Sequence, residues 1–151
     1  MPDHDSARSS VSARLNRGLQ SLDPLLGTWK ISGGAQGQIR FERVEGGFFL
    51  LQHVDLEYGG RKIKGMEVIG HLQFPGEQPT ADIHSRFYSF YDGLTLDYVY
   101  ELEGERLQIW FGPRGSGNYF LGHFSEDRKS FGGAWKWPGG GYEAVGTKVE
   151  E

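Results

Sequence analysis

The feature that most constrains this chain is a change of hydrophobic period near residue 25. Upstream, Leu15, Leu19 and Leu22 recur at helical spacing. Downstream, apolar and polar residues alternate with period two, and glycine-rich turn signals interrupt them roughly every ten residues. Ile39 and Phe41 alternate with Gln38, Arg40 and Glu42, and Gly46-Gly47 breaks the run. Phe48, Leu50, Gln52, Val54 and Leu56 then share one face, with His53, Asp55 and Glu57 on the other, up to the turn at Gly59-Gly60. Residues 61–73 read as one long strand, where Gly65 or Gly70 offers a place for a bulge.

The alternation continues over 81–91, turns at Asp92-Gly93, and puts Leu94, Leu96, Tyr98 and Tyr100 on one face before Glu103-Gly104. Strands over 106–111 and 118–124 flank a loop from Gly112 to Gly117. After the polar turn Ser125 to Lys129, Phe131, Trp135 and Trp137 share a face. Pro138 to Gly141 forms the last loop, and 142–149 the last strand.

That makes about ten short strands with no helical pattern between them, which excludes parallel βαβ units. A meander of this length has two edges, and closure into a barrel removes them. The expected fold is all-β: a closed antiparallel up-and-down barrel of about ten strands, preceded by one short helix. The composition agrees. Glycine accounts for 24 of 151 residues and aromatics for 14%, which suits tight turns and pleated, half-buried surfaces.

Residues 1–11 are polar and Ser-rich and read as a disordered tail. Ser12 is a candidate N-cap for a helix over 12–22, which Asp23-Pro24 would stop. The single folded domain is expected over 12–149.

Other features narrow the function classes. There is no cysteine, hence no disulfide, thiolate nucleophile or Cys-ligated metal, as suits a reducing cytoplasm. A net charge of −4 gives no basic surface for nucleic acid. The longest apolar run, Phe48 to Leu51, is far below a membrane span, and Met1 to Ser10 lacks the apolar stretch of a secretory signal. Cytoplasmic location is the expectation, with neither nucleic acid nor membrane as partner, and a homodimer left open. No Gly-x-Ser-x-Gly elbow, Walker loop or His-Glu-x-x-His is present, and no carboxylate pair stands inside an apolar face.

The segment Leu25-Leu26-Gly27-Thr28-Trp29-Lys30 follows the helix and opens the first strand. It resembles the Gly-x-Trp entry of the lipocalin and calycin superfamily, in which the tryptophan plugs the closed barrel end behind an N-terminal helix. Gly46-Gly47-Phe48-Phe49-Leu50, Val68-Ile69-Gly70, Tyr91-Asp92-Gly93 and Gly132-Gly133-Ala134-Trp135-Lys136-Trp137 are similar to a group of bacterial lipocalin-like domains. The resemblance covers residues 22–149. Nitrobindin-type haem barrels are a more distant likeness, with an extended Gly-x-Trp-x-Gly-x-Gly start. This chain reads Gly27-Thr28-Trp29-Lys30-Ile31-Ser32-Gly33, without the glycine after position 30, and lacks that family's C-terminal histidine segment. No cofactor is therefore expected, haem being the minor alternative.

A barrel of this kind can enclose one small ligand, so polar residues on apolar faces are the candidates. Gln52 sits between Leu50 and Val54, and could orient a ligand or be satisfied near a barrel mouth. Tyr98 and Tyr100 could present phenols, or pack with local partners. Asp82, His84, Arg86 and Tyr88 form the most chemical-looking stripe: Arg86 could clamp a carboxylate and His84 move a proton if the stripe faces inward. The bland alternative is a solvated outer face. Trp135, with Trp29, Trp110 and Trp137, could stack on a planar ligand or fill the core, with Lys136 facing solvent. His53, His84 and His123 show no metal-ligand spacing, and no metal site is expected.

The expected ligand-binding residues are Gln52, His84, Arg86, Tyr88, Tyr98 and Trp135, and no catalytic residue is assigned. Three functions compete. One is a barrel that binds a small, largely apolar molecule. Another is a biosynthetic cyclase or isomerase that uses the cavity, and the third is a packed structural or interaction barrel.

Overall fold

The computed structural model describes residues 4–150. The chain is a closed ten-strand antiparallel barrel with up-and-down connectivity. Helix α1 (His4–Gln20) and a 3₁₀ turn (Asp23–Leu25) precede the strands β1 (Gly27–Gly33), β2 (Ala35–Arg43), β3 (Leu50–Tyr58), β4 (Arg61–Gly70) and β5 (Ile83–Ser89). The circuit continues through β6 (Thr95–Glu103), β7 (Arg106–Phe111), β8 (Tyr119–Phe124), β9 (Ser130–Trp137) and β10 (Gly140–Lys148). Each strand pairs with its sequence neighbours, and β1 pairs with β10 to close the sheet, so no edge is left unpaired.

The helix begins well before Ser12 and ends at Gln20 rather than Leu22. Part of the expected tail over 1–11 lies outside the described residues. The last helical turn tightens: Ser21 and Leu22 donate to the Gly18 and Leu19 carbonyls three residues back, which carries the chain into the 3₁₀ turn. Leu19 and Leu22 are fully buried there. Asn16 ties the helix to the β2–β3 loop by donating from Nδ2 to the Gly47 carbonyl at 3.0 Å.

Under the helix lies the plug. Trp29 is completely buried, donates from Nε1 to the Leu25 carbonyl at 2.8 Å, and meets Phe124 and Phe131 edge-on. Leu50 and Ile69 complete this closed end. The hairpin tips at Gly33–Ala35, Tyr58–Arg61, Phe111–Tyr119 and Trp137–Gly140 ring the opposite end. Among the described residues no helix is long and apolar enough to cross a membrane.

The ladders resolve the strand faces. On β4 the inward residues are Ile63, Gly65, Glu67 and Ile69. On β5 they are Ile83, Ser85 and Phe87, and on β8 Phe120, Gly122 and Phe124. Gly65 is not a bulge. It pairs in unbroken register with Val54 and Ser89, and it is glycine because a Cβ there would strike the Phe87 ring. Gly70 likewise lies against the Phe49 ring without breaking register. Phe48 falls outside β3, and Leu94 sits exposed before β6, so neither joins the inner face expected of it.

Candidate functional site

Above the plug the barrel encloses a cavity of about 370 Å³. Its wall is chiefly aliphatic and aromatic, from Leu25 and Phe131 near the plug to Phe111, Trp137 and Tyr142 near the open end. Small inner residues keep the space open. A side chain on Gly146 would collide with the Phe131 ring, so the ring lies over the strand instead of across the lumen.

Six polar side chains interrupt this lining: Gln52, Glu67, Tyr98, Tyr100, Asn118 and Tyr142. Glu67 is the unexpected one. It comes from the centre of β4, is only 3% exposed, and shares its carboxyl between two hydroxyl donors. Ser85 Oγ on β5 donates to Oε2 at 2.6 Å, and Tyr100 OH on β6 donates to Oε1 at 2.6 Å. Burial pushes its pKa up from 4.5 to about 7 against the lowering effect of both hydrogen bonds. Among the described residues no Lys, Arg or His lines the cavity to offset it. In return, burial and the nearby Glu67 hold the Tyr100 and Tyr98 phenols well above their ordinary range.

Gln52 stands directly across the ladder from Glu67. It is buried and lines the cavity, and no hydrogen bond ties its amide to another described residue. Tyr98 and Trp135 also line the cavity, with ring centroids 6.1 Å apart. Trp137 packs against Tyr142 near the mouth, where burial raises the Tyr142 phenol to about 12.

The structure therefore brings together Gln52, Tyr98 and Trp135 and leaves out His84, Arg86 and Tyr88. On β5 the inward positions belong to Ile83, Ser85 and Phe87, so the whole Asp82 to Tyr88 stripe faces outward. Arg86 forms a two-pronged pair with Asp97 on β6, Nε to Oδ1 at 2.8 Å and Nη2 to Oδ2 at 3.0 Å. Arg114, from the β7–β8 loop, bonds Asp82 and Glu101 and lies over the Trp110 ring at 4.7 Å. Trp110 is thus buried on the outside of the barrel, under that loop, and is not part of the interior. His84 is half-buried in the same outer cluster, and desolvation lowers its pKa.

His53, His71 and His123 also lie away from the cavity. His53 pairs with Glu42 on the outer face at 3.1 Å, and His123 is exposed. His71 packs against Gly18 of the helix and donates from Nδ1 to the Thr80 carbonyl at 2.9 Å. Among the described residues no cluster of three or more His, Asp or Glu side chains could hold a metal. Among the described residues no histidine lines the cavity.

The signal for Glu67 was present in the sequence: in Ile63, Gly65, Glu67 and Ile69, a lone carboxyl interrupts an otherwise apolar alternation. In the competing phase Lys62 and Lys64 give way to the apolar Met66 and Val68, and that apolar second half obscures it. No protein-family model matches this chain, and no curated protein matches it.

Proposed function

We propose that this protein binds a small, largely apolar molecule inside its barrel, as the lipocalin-like resemblance of its Gly27-Thr28-Trp29 entry implies. The observation that carries this reading is the cavity itself. About 370 Å³ of apolar, aromatic-walled space lies at the small end of the range for ligand pockets. A barrel serving only as a packed scaffold would fill that space with side chains. The unpartnered Gln52 amide and the Glu67 carboxyl give the space a polar side on which a ligand can be oriented. A cytoplasmic location is the compartment proposed with this function, in line with the cysteine-free chain.

A second reading, an enzyme of the cyclase or isomerase type, draws on one observation. Glu67, with a pKa near 7 and a phenol at 2.6 Å, is the kind of group that gives and takes a proton at neutral pH. Ligand binding underlies both readings.

Native mass spectrometry of protein purified from cells tests the proposal. The expected result is a discrete mass excess that disappears on denaturation. Titration with 1-octanol, read by the emission of Trp135 and Trp137 in the cavity wall, tests it without the natural ligand. Protein that carries no extra mass and gives no saturable change with 1-octanol overturns it.

A further inference from the structure

Resting on the reading of the cavity as a ligand site, we infer that the ligand class is an apolar amine, its protonated nitrogen seated between the Glu67 carboxylate and the Gln52 amide oxygen. Among the described residues Glu67 is the only carboxyl that lines the cavity, and no Lys, Arg or His stands there to neutralise it. Both its oxygens already accept from hydroxyls, Oε2 from Ser85 and Oε1 from Tyr100. That arrangement supports the ionised form and leaves acceptor capacity on each oxygen, and no cation stands among the described lining residues to hold a ligand anion. A fatty acid or another carboxylate would bring a like charge into a low-dielectric space. An ammonium group brings the missing counter-charge.

The usual objection to buried ion pairs is that both ions lose their water. Here the carboxyl has lost its water already, on folding, so only the cost of stripping the amine remains. Gln52 faces Glu67 across the β3–β4 ladder and has no hydrogen bond to another described residue, so its oxygen can take a second N–H of the amine. The aromatic wall adds a further preference. Tyr98 and Trp135 lie together on the lining, and ring faces attract cations.

The groups facing Glu67 fix the pH dependence. They are Gln52 on β3, Ser85 and Phe87 on β5, and Tyr98 and Tyr100 on β6. Of these only the two tyrosines titrate, and both do so far above neutrality. Glu67 alone therefore governs ligand uptake near pH 7. Its pKa of about 7 in the empty protein means that an ammonium ligand displaces a proton on entering, and binds better as the pH rises past 7.

Three probes of equal chain length test this on the intact protein: 1-octylamine, 1-octanol and octanoate, titrated against cavity tryptophan emission at about pH 8 and about pH 5.5. The expected order at the higher pH is octylamine tightest, by at least about tenfold over octanol, with octanoate weakest. The advantage of the amine shrinks at the lower pH. In Glu67→Gln the advantage of the amine over octanol is lost. If octanol and octylamine bind alike, or if Glu67→Gln keeps the preference, the inference fails while the cavity stands as a binding site. If none of the three binds, the binding reading itself fails, and the inference with it.

Discussion

The two sides of the β4–β5–β6 wall carry similar residue types and treat them in opposite ways. Outside, Arg86 pairs with Asp97, and Arg114 pairs with Asp82 and Glu101, in contact with water. There the neighbouring arginines hold the Asp82, Asp97 and Glu101 carboxyls below their ordinary values. On the inner face, Glu67 has only neutral donors and is pushed up to about 7. A carboxyl's titration here is decided by whether it meets guanidinium and water or hydroxyls and hydrocarbon. The inner group is the one poised to change charge near neutral pH.

The largest expected effect of this difference is on stability against pH. Glu67 titrates near 4.5 in the unfolded chain and near 7 in the fold. Between those values the folded state holds a proton that the unfolded state has released. The contribution of Glu67 is thus fully present below about pH 4.5 and is lost as the pH rises through about 7, a decline of roughly 3 kcal/mol. The outer carboxylates run the other way, losing stability only as the pH falls through their lowered values. Glu67→Gln removes the inner group's slope and leaves the outer ones. Urea unfolding from about pH 5 to about pH 8 should show the wild type weakening and the variant nearly flat. Parallel curves would mean that Glu67 titrates like a surface carboxyl.

Tyr100→Phe sharpens the same contrast. It deletes the 2.6 Å donor to Oε1 and keeps the buried ring. The carboxylate then has Ser85 alone. The expected cost is about 2 kcal/mol at about pH 8, where Glu67 is ionised, and clearly less at about pH 5, where it is protonated. An equal cost at both values would assign the loss to packing and not to the charged hydrogen bond.

How far the sequence predicts this arrangement differs between levels. The barrel and its strand count follow from the period-two alternation and the turn signals, because those features act locally, and the Trp29 plug is what the resemblance of the Gly27-Thr28-Trp29 entry implies. Gln52, Tyr98 and Trp135 lie on strands where only one face is apolar, and their inward direction follows from it. On β5 both phases contain large side chains: Ile83 and Phe87 in one, His84, Arg86 and Tyr88 in the other. Only the pairing of Ser85 with Ile69 and Tyr98 fixes which phase faces the lumen. Glu67 was obscured for the same reason. The Glu67–Ser85–Tyr100 cluster joins three strands, and no local pattern reports it.

The smallest expected effect belongs to the residue whose sequence context looked most functional. Arg86 makes a well-formed pair with Asp97, yet both side chains are more than half exposed, 56% and 55%. Water screens such a pair, and ordering two long side chains offsets much of its attraction. Arg86→Ala should leave the urea midpoint and the 1-octanol affinity of the cavity unchanged. The Phe87 ring, one residue on, lies in the cavity wall and offers a control, since Phe87→Ala should change both measurements. If Arg86→Ala weakened octanol binding without shifting the midpoint, the outer face of β5 would take part in ligand entry, and the two sides of the wall would have to be treated as one site.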